Sequence, residues 1–273
     1  MHAPNAITDT NDTHFDRTIA VHPRHGGGTE GQQFDVDLDE SWASLRGVHG
    51  GYMTAVAVRA AEHSSPGRPV RTVATSFLRP AEIGPAVLRV EALRAGRSFT
   101  TLAVGLTQQG RSITESRITM LAPVAGRDWT DTTPDRPPPR EHCVHFTPPP
   151  SIRHFGQAEL LIDPATIPVA DGSPAHIAGH VRALDSRPID AAWLAMVGDW
   201  FPPSSFRRLQ PPIGGVSIDY TVHIHAVPSA DIGWLEGVFV APTSVDGITV
   251  EHGTLAVPGG VRVAEIFHTR WTG

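Results

Sequence analysis

Two adjacent glycines, Gly50 and Gly51, offer the first chemistry that can be inferred from the chain. They precede a largely apolar, alanine-rich stretch that predicts a buried helix over residues 50–63. The start of a helix presents backbone N–H groups without intrahelical partners, together with the positive end of the helix dipole. Such a start can stabilise an oxygen atom that becomes negative when a carbonyl group is attacked. The pair therefore predicts an oxyanion-binding site.

Other familiar site types are not supported by the sequence. It has no Gly-x-Ser-x-Gly, no Gly-x-x-x-x-Gly-Lys and no His-Glu-x-x-His. His223 and His225 are two residues apart, so on a strand both would face one side, a spacing that suits metal binding. A third ligand at a recognisable spacing is lacking, and the single cysteine, Cys143, lies in a proline-rich stretch. We therefore expect no metal and no cofactor.

The elements that would position these residues occur twice along the chain. The first helix is followed by four stretches with strand patterns, at 72–78, 86–94, 99–108 and 113–121. A second predicted helix, at 189–201, precedes similar segments roughly 140 to 150 residues after their counterparts, as expected for a duplicated unit. One helix followed by a run of antiparallel strands predicts an α+β fold in which the sheet wraps the helix.

Composition divides the chain into an N-terminal arm, two repeated units and a linker between them. Residues 1–31 are polar and predict a mobile N-terminal arm or surface loop. Residues 126–153 are rich in proline and predict a linker, which leaves 32–125 and 154–273 as the two repeated units.

Charge and hydropathy indicate which kinds of partner and which cell compartment to expect. The net charge is −6 and there is no run of basic residues, so we expect no nucleic acid partner. The apolar runs are shorter than the about 20 residues that a membrane helix needs, and the first 30 residues lack an apolar signal core. We therefore expect a cytoplasmic protein with no membrane span.

A family resemblance emerges from two motifs in the first unit. Phe77-Leu78-Arg79-Pro80 and Leu93-Arg94-Ala95-Gly96-Arg97-Ser98-Phe99 follow the Gly-Gly helix start, and together they resemble the acyl-CoA thioesterase II family. The resemblance covers about residues 33–122 well and 180–272 more loosely. Members of that family are double hotdog proteins, in which each unit is a long helix clasped by a curved antiparallel sheet. The resemblance implies this fold, an acyl-CoA partner and a homo-oligomer, namely a dimer of double hotdogs.

The same resemblance implies a catalytic set in the second unit. The family uses an Asp early in a strand, a Thr one strand later and a Gln near the C-terminus. Asp219, in Ser217-Ile218-Asp219-Tyr220-Thr221, matches the Asp segment, and Thr243 falls where the Thr is expected. His268 stands at the place of the Gln. We expect these three side chains to converge on one water molecule, and side chains on different faces of the sheet would contradict the set.

Each residue has a role in such a site. Asp219 would accept the proton of the water while Thr243 and His268 hold it, or His268 would itself be the base. Gly50 and Gly51 would bind the oxyanion, and Arg97 would contact the CoA phosphates. Asp190 and Glu62 are second-choice bases, because single-unit hotdog thioesterases use an acid from the helix.

The resemblance thus implies an acyl-CoA thioesterase of lipid metabolism. It would hydrolyse a fatty or related acyl-CoA by base-activated water, without a metal or a covalent intermediate. One alternative is a catalytically silent acyl-CoA-binding protein, which becomes the first choice if the catalytic set does not converge. A hotdog enoyl-CoA hydratase ranks lower, because the Asp-x-x-x-x-His pattern at Asp9 and His14 lies in the polar arm.

Overall fold

The chain folds into a large antiparallel sheet that carries two central helices on one side. The computed structural model describes residues 13–24, 31–122, 126, 128–131, 135–185, 187–209, 215–229 and 232–272. Residues 1–12 and 25–30 of the predicted arm, including Asp9 of the hydratase pattern, lie outside them.

The described residues of the N-terminal half form two α-helices and eight strands. The helices are α1 (His14–Thr18) and α2 (Gly50–Ser64). The strands are β1 (His22–Pro23), β2 (Gln32–Leu38), β3 (Ala43–Ser44), β4 (Gly47–Val48), β5 (Val70–Phe77), β6 (Gly84–Ala95), β7 (Phe99–Gln108) and β8 (Arg111–Leu121).

In the C-terminal half, the residues that the structure describes form one α-helix and a further eight strands. The helix is α3 (Ala191–Val197). The strands are β9 (Val144–His145), β10 (Ala158–Ile162), β11 (His176–Ala183), β12 (Val216–Ile224), β13 (Leu235–Val240), β14 (Ser244–Val245), β15 (Ile248–Val257) and β16 (Val261–Trp271).

The strand order repeats outward from the junction of the halves. The order is β1-β2-β6-β7-β8-β5-β12-β16-β15-β13-β11-β10-β9, with β14 paired to β15 and every described pair antiparallel. Counted outward from the β5–β12 junction, each half begins with the strand that follows its central helix (β5 or β12). Its last strand (β8 or β16) comes next, and a strand that precedes the helix (β2 or β11) lies further out. The halves are two copies of one unit, and the predicted α+β double hotdog is confirmed.

The two central helices pack against each other inside the sheet. In α2 the apolar side chains are buried all round, as the alanine-rich pattern predicts. The second helix is shorter than the predicted 189–201. It begins after Asp190, whose side chain accepts a hydrogen bond from the Trp193 amide, and it is followed by Gly198, whose Cβ position would collide with the Tyr220 hydroxyl. Two prolines at 202–203 prevent the chain from resuming the helix.

The prediction of a mobile arm is wrong for residues 13–23, because this segment packs onto the core. Phe15 in α1 is buried, with its ring 5.7 Å from that of Trp42 and 5.2 Å from that of Trp193. Apolar burial of Phe15, Ile19 and Val21 holds a segment whose average composition is polar.

An ion-pair cluster joins this segment to the far end of the helix pair. We call it the Arg187 cluster; it contains Asp16, Arg59, Glu62, Arg187 and Asp190. Arg187 Nη2 lies 2.9 Å from Asp16 Oδ1 and 3.0 Å from Asp190 Oδ2. Arg59 lies 3.1 Å from Asp190 and 2.8 Å from Glu62. These partners account for both second-choice bases as structural ions.

Among the described residues, no helix has the length and apolar character needed to cross a membrane.

Candidate active site

The start of α2 contacts the residues that follow α3, and this contact forms a candidate site. Gly51 N donates a hydrogen bond of 2.9 Å to Asp199 Oδ2. A side chain at position 51 would collide with the Met196 carbonyl oxygen, so only glycine allows the two segments to come this close. At position 50, an added Cβ would lie 3.0 Å from Asp199 Oδ2 and 3.0 Å from the Phe77 ring.

Asp199 is a buried carboxylate surrounded by donors. Besides the Gly51 amide, Arg270 Nη2 lies 3.0 Å from its Oδ1, His268 Nδ1 lies 3.4 Å from Oδ1, and His49 Nε2 lies 3.4 Å from Oδ2. Burial alone would raise its pKa, but these neighbours hold the pKa well below its usual range. Asp199 is therefore a permanent anion rather than a proton acceptor at neutral pH.

His268 connects this anion to a hydroxyl group. Its Nε2 lies 2.8 Å from Ser217 Oγ, while its Nδ1 lies 3.4 Å from Asp199 Oδ1 without forming a hydrogen bond to it. The side chain is fully buried, and burial, followed by repulsion from Arg270, lowers the pKa of His268 to about 3. The imidazole is consequently neutral at pH 7, so one ring nitrogen can accept a proton.

A β-bulge aims Ser217 at His268. On β12 and β16, Tyr220 is opposite His268, and both point into the core, whereas Asp219 is opposite Thr269 on the outer face. On a regular strand Ser217 would share the outer face with Asp219, two residues away. The register shift between Ser217 and Asp219 instead turns the serine inward.

His49 and its neighbours hold the other side of the carboxylate. His49 Nδ1 accepts a hydrogen bond from the Tyr52 amide (3.2 Å), so its proton is on Nε2, which donates to the Asp199 carbonyl oxygen (3.0 Å). The ring stacks on His154 at 4.3 Å and packs edge-on against Trp200. Burial lowers the pKa of His49, and burial together with His49 lowers that of His154 to about 2.

A second buried carboxylate fixes Arg270. Glu251 Oε2 lies 3.3 Å from Arg270 Nε, and Glu251 Oε1 accepts a hydrogen bond of 2.7 Å from the Ser204 amide. The guanidinium is thus held between two carboxylates, which keeps it directed at Asp199.

The predicted convergence of Asp219, Thr243 and His268 is wrong. Asp219 is exposed on the outer face, where its Oδ1 accepts a 2.6 Å hydrogen bond from Ser76 Oγ, because alternation along β12 separates it from the inward face of His268. Thr243 is exposed in the chain before β14, and no hydrogen bond of the described residues joins it to His268. Asp199 and Ser217 are the side chains that meet His268.

The glycine pair lies beside the site, but its two amides differ. Gly51 already donates to Asp199. Gly50 begins α2 and so has no intrahelical acceptor, and no bond from its amide occurs among the hydrogen bonds of the described residues. Gly50 is half-buried, whereas Gly51 is buried, so Gly50 is the glycine of the pair that contacts solvent.

Arg97 lies away from these residues. It occupies the turn between β6 and β7, where Arg68, beyond the C-terminal end of α2, donates to the Gly96 carbonyl at 2.8 Å. A helix of 15 residues is about 22 Å long, so Arg97 is near the opposite end of α2 from Gly50. Its contact with CoA phosphates stays a prediction.

The paired histidines on β12 have other partners. His223 Nδ1 lies 3.5 Å from Thr72 Oγ1, and His225 Nε2 lies 2.9 Å from Glu265 Oε2. The described part of the chain has no group of three His, Cys, Asp or Glu residues that could hold a metal ion.

Two signals in the sequence pointed to the missed residues. Asp199 is an acidic residue in the last turn of the predicted apolar helix 189–201, where a carboxylate opposes the helix dipole and therefore needs a partner elsewhere. Ser217 lies in the segment that was matched to the family's Asp, two residues from Asp219. The bulge that chooses between them has no signature in the sequence.

Known proteins resemble this chain over nearly its whole length. A family model of the acyl-CoA thioesterase N-terminal domain matches residues 38–121, and a model of the acyl-CoA thioesterase C-terminal domain matches residues 123–270. No curated protein matches the sequence at a significant level.

Solved structures share the fold at low sequence identity. A conserved hot dog protein of unknown function from Alicyclobacillus acidocaldarius is 22% identical, with a TM-score of 0.83 over 95% of this chain and 97% of that one. An acyl-CoA thioesterase II from Mycobacterium marinum is 20% identical, with a TM-score of 0.74 over 95% of this chain and 96% of that one. A protein of Mycobacterium avium subs paratuberculosis described as tesB is 21% identical, with a TM-score of 0.73 over 95% and 98%.

Proposed function

Since the chain belongs to the acyl-CoA thioesterase family and is a thioester hydrolase, we propose that it hydrolyses a fatty or related acyl-CoA to a free carboxylic acid and CoA. The observation that carries the proposal is the 2.8 Å contact between His268 Nε2 and Ser217 Oγ, with Asp199 behind the imidazole. This arrangement provides a proton acceptor, a hydroxyl group and an anion next to one another, beside the half-buried start of α2. It is the reason that an enzyme is proposed rather than the catalytically silent binding protein, although Asp219, Thr243 and His268 do not converge.

His268 is the proposed base that activates water. Its neutral imidazole can accept a proton, and the imidazolium formed is stabilised by the Asp199 carboxylate 3.4 Å from Nδ1. Asp199 is not placed to be the base, because its carboxylate oxygens face the Gly51 amide and the Arg270 guanidinium rather than a hydroxyl group. The carboxylate therefore orients the ring and stabilises its charged form.

The Gly50 N–H is the proposed donor to the oxyanion. A negative oxygen at this point would also interact favourably with the positive end of the α2 dipole. The imidazole and the amide together supply a base and an oxyanion donor, so the proposed reaction needs no metal.

We also propose that the chain forms a homo-oligomer. Val250, Phe267 and Trp271, with exposed fractions of 41%, 42% and 45%, lie on β15 and β16. Exposed apolar area of this kind suits contact with a second copy. Light scattering coupled to size-exclusion chromatography would test the prediction of a dimer, and a monomer at micromolar concentration would contradict it.

Measurement of CoA release tests the proposed activity. Acyl-CoAs of increasing chain length are incubated with the protein, and free CoA is detected with a thiol reagent. His268→Gln should lower turnover by about 10²- to 10⁴-fold, the usual contribution of a general base. His252→Gln is the matched control, because His252 is exposed on the neighbouring strand β15 and should leave turnover unchanged.

Two results would count against the proposal. Acyl-CoAs that raise the melting temperature without release of CoA would indicate a silent binding protein. Full turnover by His268→Gln would show that this side chain only holds water and that the base lies elsewhere.

A further inference from the structure

We propose that Arg46, Arg79 and Arg111 form a subsite that binds the phosphate groups of CoA. This subsite rests on the proposed hydrolysis of acyl-CoA, and it recognises the part of the substrate that remains outside the candidate active site. It places the phosphates near Gly50, whereas the family resemblance implies a contact with Arg97.

The segment that carries Arg79 runs outward from the candidate active site. β5 ends at Phe77, whose ring lies 3.0 Å from the position of a Cβ atom on Gly50. The antiparallel pairing of β5 with β12 directs the following residues past Ser217. Arg79 comes two residues after Phe77, a Cα–Cα distance of at most about 7 Å, and it is exposed. Arg79 therefore lies at the outer edge of the proposed site.

The turn between β3 and β4 brings Arg46 to the same edge. This turn packs on the chain that follows Arg79, because a Cβ atom on Gly47 would lie 3.4 Å from Pro80 Cβ. Gly47 has a φ of 118°, which residues with a side chain rarely adopt, so the close approach depends on glycine. Arg46 directly precedes Gly47 and is exposed, which places it beside Arg79.

Arg111 completes the group at the start of β8. Arg79 Nη1 donates a hydrogen bond of 2.9 Å to the carbonyl oxygen of Ser112, the residue after the exposed Arg111. In the part of the chain that the structure describes, no carboxylate forms an ion pair with any of the three arginines. Glu82, in the same loop as Arg79, lies 3.3 Å from Gln109 Nε2 instead. Three positive charges are therefore available to an anionic ligand.

CoA matches this edge in both charge and polarity. A guanidinium group binds a phosphate through paired hydrogen bonds, and three such groups can share the diphosphate and the 3′-phosphate of CoA. Exposed apolar side chains lie on the same two segments, at Leu45, Leu78 and Ile83, and they suit the pantetheine arm and the adenine ring. Because the whole chain has a net charge of −6, a locally positive edge also favours the approach of a polyanionic substrate at this point.

Steady-state kinetics with two substrates that carry the same acyl group test this subsite. One is an acyl-CoA, and the other is the acyl-pantetheine, which has the same thioester but no phosphate. Arg46→Gln and Arg111→Gln should each raise the KM for acyl-CoA by about 3- to 10-fold. Both variants should leave kcat and the hydrolysis of acyl-pantetheine unchanged. Arg79→Gln should act in the same way, but it also removes the bond to Ser112, so the first two variants decide the test.

Arg117→Gln is the matched control, because Arg117 is an exposed arginine six residues after Arg111 on β8 and should behave as the wild type. A wild-type KM for acyl-CoA in the Arg46 and Arg111 variants would overturn the inference, and so would an equal KM increase with acyl-pantetheine. A KM increase confined to Arg97→Gln would move the phosphates to the other end of α2 and would also overturn it. The proposed function survives each of these results and fails only if the wild type hydrolyses neither substrate.

Discussion

Acid should destabilise this protein strongly through its buried histidines. Burial lowers the pKa of His268 to about 3 and that of His154 to about 2. Both values lie below the about 6.5 of an unfolded histidine, so the unfolded chain binds more protons than the native one as the pH falls below that value. The free energy of unfolding must therefore be highest above pH 6.5 and must decrease as the pH falls towards the native values.

The size of the effect follows from linkage. At pH 5.5 each unfolded histidine is mostly protonated, whereas both native side chains remain neutral. Each group then lowers the free energy of unfolding by about 1.4 kcal/mol relative to pH 7.5. His268 and His154 together contribute about 2.8 kcal/mol, and His49, whose pKa burial also lowers, adds to this loss.

Urea unfolding followed by tryptophan fluorescence at pH 7.5 and 5.5 measures this difference. His154→Phe keeps an aromatic ring against His49 and Trp200 and should reduce the acid-induced loss by about 1.4 kcal/mol. His252→Gln changes an exposed histidine and should leave the loss unaltered. An equal loss in His154→Phe and the wild type would refute the assignment of a buried neutral imidazole at position 154.

Three further substitutions test the site. Asp219→Asn should retain near wild-type CoA release, because Asp219 faces outward, and a loss of about 10²-fold or more would restore it as a candidate base. Asp199→Asn removes the anion behind His268 at constant volume and should lower kcat by about 10²- to 10⁴-fold; an unchanged kcat would contradict its orienting role. Gly51→Ala places a methyl group against the Met196 carbonyl and should cost about 1–3 kcal/mol of stability, measured by urea unfolding, and an unaltered midpoint would show that the helices can separate freely.

Local patterns predicted the fold well. The apolar stretch after Gly50 predicted α2 to within one residue of its C-terminal end, and the period-two segments after it became β5 to β8. These elements follow from side-chain periodicity, which the sequence displays directly. The second helix was predicted too long, because its end depends on a contact between Gly198 and Tyr220 that the local sequence does not reveal.

The site depended on information that periodicity does not contain. His268 was reached through the resemblance, but alternation along β12 placed Asp219 on the wrong face. One irregularity in the β12–β16 pairing brought Ser217 to the histidine instead. Asp199 became a site residue because a glycine on another helix let the two segments touch. Both outcomes depend on contacts between segments that are far apart in the sequence.

The Arg187 cluster bears on how many active sites each chain can have. The duplicated fold has two ends at which one helix starts beside the end of the other. At one end the Gly51 amide meets Asp199, and at the other Asp190 caps the α3 start and is itself bound by Arg187 and Arg59. Because ions and α1 fill the second end, a titration of active sites should count one equivalent per 29.3 kDa chain rather than two.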